Sequence, residues 1–357
     1  MRIIVDLIHP ANIHYFKYFI NIMKSKNHDI LITARDKDVL QQLLNAYQLS
    51  YISTGRGTIG TGAIIGKALY LLITTVRFFF FYLKRRPDYV LSFGSTPCAV
   101  ASYLLRIPHI SFEDTEHAKL NRKLYKPFTN FILTPSSFYE NIGKNHFRFN
   151  AYMESFYLHK NRFTPNPNVL NQLNIPPHEK FIFLRFVSWE AFHDIGQKKL
   201  NVEEKINLVY ELKNYCKVLI SSEGAIPEKL KEFEIKVSPE KIHDVLAYAA
   251  LYIGEGGTMA SECALLGVPA IYINSLPLMG YLDDERKAGL LFYLHNQHDI
   301  LTKAIKILSG GIDYMRLRDK LLEDKIDPTA FLVWLIENYP QSKKILQKNP
   351  EYQSKFR

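Results

Sequence analysis

The sequence predicts an α/β protein made of two successive parallel sheets, each covered by helices. Three observations carry this expectation. Short apolar runs of strand length alternate with helical periodicity along most of the chain. The alternation breaks once, at Thr164 to Pro177 (TPNPNVLNQLNIPP), where Pro and Asn interrupt helices and ladders, and a second series starts at once. Within that second series a strand runs straight into a glycine turn and a helix around Gly254 to Thr258, at the end of the strand where open α/β sheets meet their ligands.

In the first half, Arg2–Leu7, Asp29–Thr33, Tyr89–Phe93, His109–Phe112 and Phe131–Thr134 read as strands, with helices over Ile13–Lys26 and Asp38–Tyr47. In the second, Phe181–Phe186, Lys217–Ser221, Leu251–Gly254 and Ala270–Ile273 read as strands. Helices there fall on Val202–Tyr215, Ile242–Ala249 and Thr258–Leu266. The expected division is a domain over 1–163, a linker over 164–177 and a domain over 178–325. The apolar stretch within 326–340 is expected to return to the first domain, and the polar tail 341–357 to fray.

Composition bounds the function classes. The 357 residues suffice for two ordinary domains, and 47% hydrophobic content fills a sizeable core. Lys+Arg 45 against Asp+Glu 35 gives a formal charge of +10, which favours anionic partners. Cys98, Cys216 and Cys263 form no CxxC pair, so neither a disulfide framework nor a zinc site is expected, and a reducing cytoplasm is the simplest setting. No secretory leader is read ahead of Ile3-Ile4-Val5. RNA-recognition motifs and basic-aromatic stripes are absent, so nucleic acid is not an expected partner. The oligomeric state is not readable.

The stretch Ala63–Leu83 (AIIGKALYLLITTVRFFFFYL) stands apart. Lys67 and Arg77 interrupt it before it reaches the ~18–20 apolar residues of a spanning helix. It reads either as a mostly buried helix of the α/β domain or as a monotopic patch whose aromatic bulk beside Lys84, Arg85 and Arg86 suits the headgroup boundary at the inner face of the membrane; both hold if one face packs and the other meets lipid.

Gly254-Glu255-Gly256-Gly257-Thr258 carries the clearest chemistry. Glycines let a ligand approach the backbone, and the first turn of the following helix offers amides to a phosphate. Glu262, one turn beyond Thr258, is placed to accept hydrogen bonds from ribose hydroxyls, and Gly267 ends the helix.

This segment resembles the donor-binding motif of GT-B glycosyltransferases, above all the N-acetylglucosaminyltransferase that makes lipid II. It is also similar to the Gly-Gly-x-x-x-Glu segment of the non-hydrolysing UDP-N-acetylglucosamine 2-epimerases. More closely still, the chain resembles a bacterial and archaeal family of unassigned function grouped with those enzymes. The resemblance lies in His9–Lys17, Ser111–His117, Arg185–Gln197 and Gly254–Pro269, and runs to about Asn338. It implies the GT-B architecture, two Rossmann-like domains with an interdomain cleft, and places Gly256, Gly257 and Thr258 at a diphosphate and Glu262 at the ribose.

Other loops after strands supply candidates. His14 is read at the start of the first helix, where the N-terminus favours a neutral imidazole and a general base; His9 is a weaker candidate. The lipid II enzyme has a glycine-rich loop here that this chain lacks. Phe112-Glu113-Asp114-Thr115-Glu116-His117 gathers carboxylates that raise one another's pKa. Asp114, Glu116 and His117 are the catalytic candidates there, at a place comparable to the acids that handle the C2 proton in the resembling epimerases. At the end of the strand Phe181–Phe186 and in the loop beyond it, Arg185, Ser188 and His193 are candidate diphosphate contacts. Ser221–Gly224, Val237 or Ser238, and Gly94-Ser95-Thr96-Pro97 are secondary candidates. Asp36-Lys37-Asp38 matches a metal-binding DxD spelling at a helix start, where acids ordinarily cap; no metal and no cofactor beyond a nucleotide-sugar substrate is expected.

Two activities follow. One moves a sugar from a UDP-type donor to a lipid-linked or cell-surface polysaccharide acceptor, inverting and without metal. The other epimerises a UDP-sugar at C2.

Overall fold

The computed structural model describes residues 1–36, 38–55, 63–176, 178–186, 200–222 and 224–357. Its elements in chain order begin with β1 (Arg2–Leu7), α1 (Pro10–Ser25), β2 (Asp29–Ala34), α2 (Asp38–Ala46), β3 (Ile52–Ser53) and α3 (Ala63–Arg85). Then come β4 (Tyr89–Phe93), α4 (Thr96–Leu104), β5 (His109–Phe112), α5 (Lys119–Tyr125), β6 (Phe131–Pro135), β7 (His146–Phe149) and α6 (Ser155–Leu158). The second half has α7 (Asn168–Gln172), β8 (Phe181–Phe186), α8 (Val202–Leu212), β9 (Lys217–Ser222), α9 (Ile242–Leu246), β10 (Leu251–Gly254) and α10 (Gly257–Leu266). It continues through β11 (Ala270–Ile273), α11 (Gly280–Lys287), β12 (Leu291–Leu294), α12 (Gln297–Leu308) and α13 (Tyr314–Leu322) to α14 (Pro328–Glu337) and α15 (Gln341–Lys348).

The chain forms two compact units, one of Met1–Arg162 with Asp324–Arg357, the other of Phe163–Glu323. The first contains a parallel sheet ordered β3-β2-β1-β4-β5-β6-β7. Because the chain winds outward from β1 and then returns to its other side at β4, right-handed crossovers put α1 and α2 on one face and α3, α4 and α5 on the other. α3 packs along α4 and α4 along α5, while α1 packs against α2, α6 and α14. Ile4, Phe78, Tyr82, Val90, Cys98 and Ala101 form a core under α3 and α4.

The second unit holds a parallel sheet ordered β12-β11-β10-β8-β9. One core gathers Ile182, Leu184, Ile220, Ile253 and Ile271 from one face of the sheet, where the register sets them side by side, with Val209 of α8 and Ile300 of α12 packed over them. α10 ends on Gly267 at φ 78, the left-handed cap that favours glycine. α11 packs across α10, and Ser261 Oγ donates to Oε1 of Glu285, which is fully buried. Burial pushes the Glu285 carboxyl up to about 8, against the weaker lowering effect of that hydrogen bond.

Three expectations need correction. The tail does not fray: α15 and a 3-10 turn over Pro350–Phe356 pack on α14, with Leu346 buried and Trp334 stacked 4.9 Å from Tyr352. Its few apolar residues fall on one face, which composition alone hides. The Pro- and Asn-rich segment is not plain linker, since α7 buries Val169 and Leu170. The first helix begins at Pro10 rather than Ile13, with Pro at its first position.

Leu346→Ala should lower the stability of the first unit by about 2–5 kcal/mol, read as a reduced urea midpoint; a frayed tail would leave the midpoint unchanged. Glu285 predicts a pH effect of defined sign. A raised folded pKa makes its contribution complete below the ordinary carboxyl value of 4.5 and lost as pH rises through about 8. The urea midpoint of the second unit should therefore fall as pH rises from about 5 to about 9, and Glu285→Gln, which still accepts from Ser261, should flatten that dependence.

Candidate functional site

In the second unit the switch in winding direction falls between β8 and β10, and the candidate residues cluster at the carboxyl ends of these strands. The register aligns Gly254 with Arg185, and Arg185 with Ser221. Arg185 Nη1 donates to Ser221 Oγ at 2.6 Å, and the Arg185 carbonyl accepts from Glu255 N at 3.1 Å. A Cβ on Gly254 would meet that carbonyl at 2.7 Å, so only glycine lets the strand leave the sheet here.

The half-buried turn then starts α10 with Gly256 as N-cap at φ −94, ψ 117. Glycine has no side chain with which to cap the first-turn amides, so the turn keeps the donor character that suits a phosphate. A Cβ on Gly257 would come within 3.3 Å of Leu282 Cδ1 and 3.4 Å of the Tyr281 hydroxyl, so α11 crowds the turn from one side. Tyr252 Oη donates to the Gly256 carbonyl at 3.4 Å from below.

Two carboxylates border the turn, and both are paired. Lys205 Nζ on α8 lies 2.7 Å from Glu255 Oε1, almost wholly buried, with its ammonium 4.9 Å from the Phe186 ring centroid. Its partner, Glu255, sits inside the glycine turn, where an unpaired carboxylate would repel a phosphate. Glu262, on the next turn of α10, is held by His243 Nε2 of α9 at 2.9 Å, with both side chains buried. Sequence reasoning missed Lys205 and His243 as partners, because neither stands at a telling spacing from the acid it meets. Ser188 and His193 lie outside the described residues, as does Glu223. Val237 is half-buried and Ser238 exposed, just ahead of a 3-10 turn over Pro239–Lys241.

In the first unit, the loop after β5 is organised by Glu113, which was not singled out. Its Oε1 accepts from the amides of Asp114 at 3.2 Å and Thr115 at 3.1 Å, and its Oε2 from the Tyr125 hydroxyl at 2.9 Å. Arg122, paired with Glu140, donates to the carbonyls of Thr115 at 3.2 Å and Glu116 at 3.1 Å, so the loop is tied at both ends. Burial, then the Glu113 charge beside it, pushes Asp114 up to about 7, a value suited to moving a proton near neutrality. The Glu116 side chain is buried and His117 exposed.

His14 does not start α1. His9 is the N-cap, its Nδ1 accepting from Ala11 N at 3.3 Å while Asn12 Oδ1 accepts from His9 N at 2.9 Å. His14 sits more than a turn inside the helix. It is buried against Tyr157 at 5.2 Å between ring centroids, with the Tyr47 hydroxyl 3.3 Å from its Nδ1. The premise that the helix terminus acts on its ring fails with that placement. β1 and β5 are separated by β4, so the His14 helix and the Asp114 loop leave the sheet two strands apart. Gly94 takes φ 60 and its amide donates to Ser111 Oγ at 3.0 Å, which joins the turn after β4 to β5. Asp36 accepts from Ser53 Oγ at 2.7 and 2.8 Å, a local bond that closes β3; Lys37 and the Asp38 side chain lie outside the described residues.

Known proteins share this fold. The UDP-GlcNAc 2-epimerase from Neisseria meningitidis, solved with UDP-GlcNAc, is 12% identical, superposes with a TM-score of 0.66, and is covered for 100% of its length by 95% of this chain. The glycosyltransferase VinC, solved with dTDP, is 12% identical with a TM-score of 0.63, over 98% of this chain and 100% of its own. At such identity the likeness is one of fold, and the fold is GT-B, two Rossmann-like parallel-sheet units. The uncharacterized protein MJ0665 of Methanocaldococcus jannaschii is 22% identical over 287 residues, 77% of this chain and 82% of that protein. A family described as "protein of unknown function (DUF354)" matches residues 1–333, and the chain belongs to that family.

Proposed function

We propose that this protein is a glycosyltransferase that takes its sugar from a UDP-type donor and passes it to a lipid-linked or cell-surface polysaccharide acceptor. The observation that carries the reading is the Gly256–Gly257 turn at the head of α10, with the Glu262 carboxylate one turn later, at the switch point of the second sheet. The diphosphate takes the first-turn amides, and Arg185 stabilises it as it leaves. Glu262, its far side held by His243, accepts from the ribose hydroxyls. Thr258, half-buried in the same turn, adds a hydroxyl at the phosphates; Ser188 and His193, outside the described residues, are diphosphate contacts proposed from the sequence alone. Asp114, with its raised pKa, is the base that activates the acceptor hydroxyl, with Glu116, His117 and His14 as further groups on the acceptor side. Attack from the opposite side of the sugar inverts the anomeric centre, and amides in place of a cation take the diphosphate charge. The acceptor class and the positive charge of the chain suit work at the cytoplasmic face of a membrane.

A second reading, C2 epimerisation of a UDP-sugar, is favoured by the same Asp114. A carboxyl near 7 is poised both to take a proton and to return it, which an epimerisation at C2 requires.

Calorimetric titration with UDP and UDP-N-acetylglucosamine tests the donor site. Glu262→Ala should weaken binding by about 10–100-fold through loss of charge-assisted hydrogen bonds, with an unchanged far-UV spectrum. Equal affinity in the variant removes the ribose assignment. Incubating UDP-N-acetylglucosamine without acceptor separates the activities. Unchanged sugar supports transfer, whereas conversion to the manno isomer, abolished by Asp114→Asn, establishes the epimerase instead.

A further inference from the structure

The two faces of the first unit's sheet present different surfaces. On α3, Leu69, Leu72, Val76, Phe80 and Leu83 are exposed at three- and four-residue spacing, which lines them along one side of the helix. Leu72 and Phe80 are each 62% exposed. The opposite side, with Tyr70, Thr74, Phe78 and Tyr82, is buried in the core. The layer continues sideways. α4 ends on exposed Tyr103 and Leu104, and α5 exposes Leu120, at 75%, and Leu124. On the other face, α1, α2, α6 and α14 together expose one large apolar side chain among the described residues, Val39.

The helices of this layer also carry charge of one sign only. Neither α3, α4 nor α5 contains an Asp or Glu. Exposed Lys67, Arg77, Lys84 and Arg85 flank the α3 stripe, and α5 adds exposed Lys119 and Lys123. An apolar layer edged mainly by cations, with Glu140 paired to Lys119 at one margin, complements an anionic lipid surface, where aliphatic and aromatic groups enter the headgroup boundary and ammonium and guanidinium groups meet phosphates. A second copy of this chain is the poorer occupant. A two-fold contact would set this cationic layer against itself.

At 23 residues α3 is long enough to cross a bilayer, but crossing would withdraw Phe78 and Tyr82 from the core they share with Ile4, Val90 and Cys98. The helix therefore lies in the plane of the surface.

We propose that the α3–α4–α5 layer is a membrane-docking face for anionic lipid, with the Leu72–Phe80 stripe inserted at the headgroup boundary. This deepens the acceptor side of the reading above, yet it rests on the first unit alone and needs no nucleotide. The test is co-sedimentation of the full chain with phosphatidylcholine vesicles, with and without phosphatidylglycerol. Binding should require phosphatidylglycerol and fall as salt rises. Leu72→Glu/Phe80→Glu and, separately, Lys84→Glu/Arg85→Glu should each reduce partitioning about tenfold or more, with melting temperature and UDP affinity unchanged. Failure to bind anionic vesicles, or partitioning that both double variants leave intact, overturns the proposal. Self-association lost in Leu72→Glu/Phe80→Glu, without vesicle binding, overturns it too and assigns the face to a second copy. UDP titration of the same preparations reports on the donor site separately, so either reading can fail without the other.

Discussion

The candidate site depends on one close approach. β10 leaves its sheet at Gly254 with its backbone against the Arg185 carbonyl of β8, too near for any side chain. That contact fixes where the next three residues run. It puts the Gly256–Gly257 turn over the end of the sheet, lets Tyr252 reach up to the Gly256 carbonyl, and fixes which face of α10 carries Glu262. A methyl group at Gly254 would push the strand end away from its neighbour and move all three together.

Around this turn the acids are paired before any ligand arrives. Lys205 answers Glu255, and His243 answers Glu262. In the first unit Arg122 answers Glu140 while it ties down two loop carbonyls. Buried carboxylates are costly alone, so each has a partner from a different element, and that partner also fixes its orientation. Asp114 differs. Burial raises its pKa first, and the neighbouring Glu113 carboxylate adds to the rise.

The sequence revealed the winding and the turn because both are local patterns. Alternating runs such as Ile253 in β10 and Ile271 in β11 announce strands, and glycine followed by Thr258 and Ala260 announces a helix start. Short pieces escaped. β3 has two residues, too few to show a period, and β7 (HFRF) and β12 (LFYL) are not read as strands either. The tail escaped because Leu346 becomes a core residue, and Tyr352 finds its stacking partner Trp334, only when α14 lies beneath them. Glu113 escaped for a related reason. It looks like its acidic neighbours in sequence, and only the Tyr125 hydroxyl and two amides make it the anchor of its loop. The α3 patch was visible as composition. Its extension onto α4 and α5 was not, because that depends on which helices share a face of the sheet.

The first unit is discontinuous: its sheet closes by Arg162, yet α14, α15 and the residues after them are made only after the whole second unit. At the ribosome's ~5–20 residues per second, a nascent chain must carry an unfinished first unit for roughly 10–30 s while the intervening segment is made. During that interval the side of α1 that α14 later covers stands bare. The order of synthesis therefore favours a second unit that folds quickly by itself and a nascent first unit that chaperones shield until the last helices emerge.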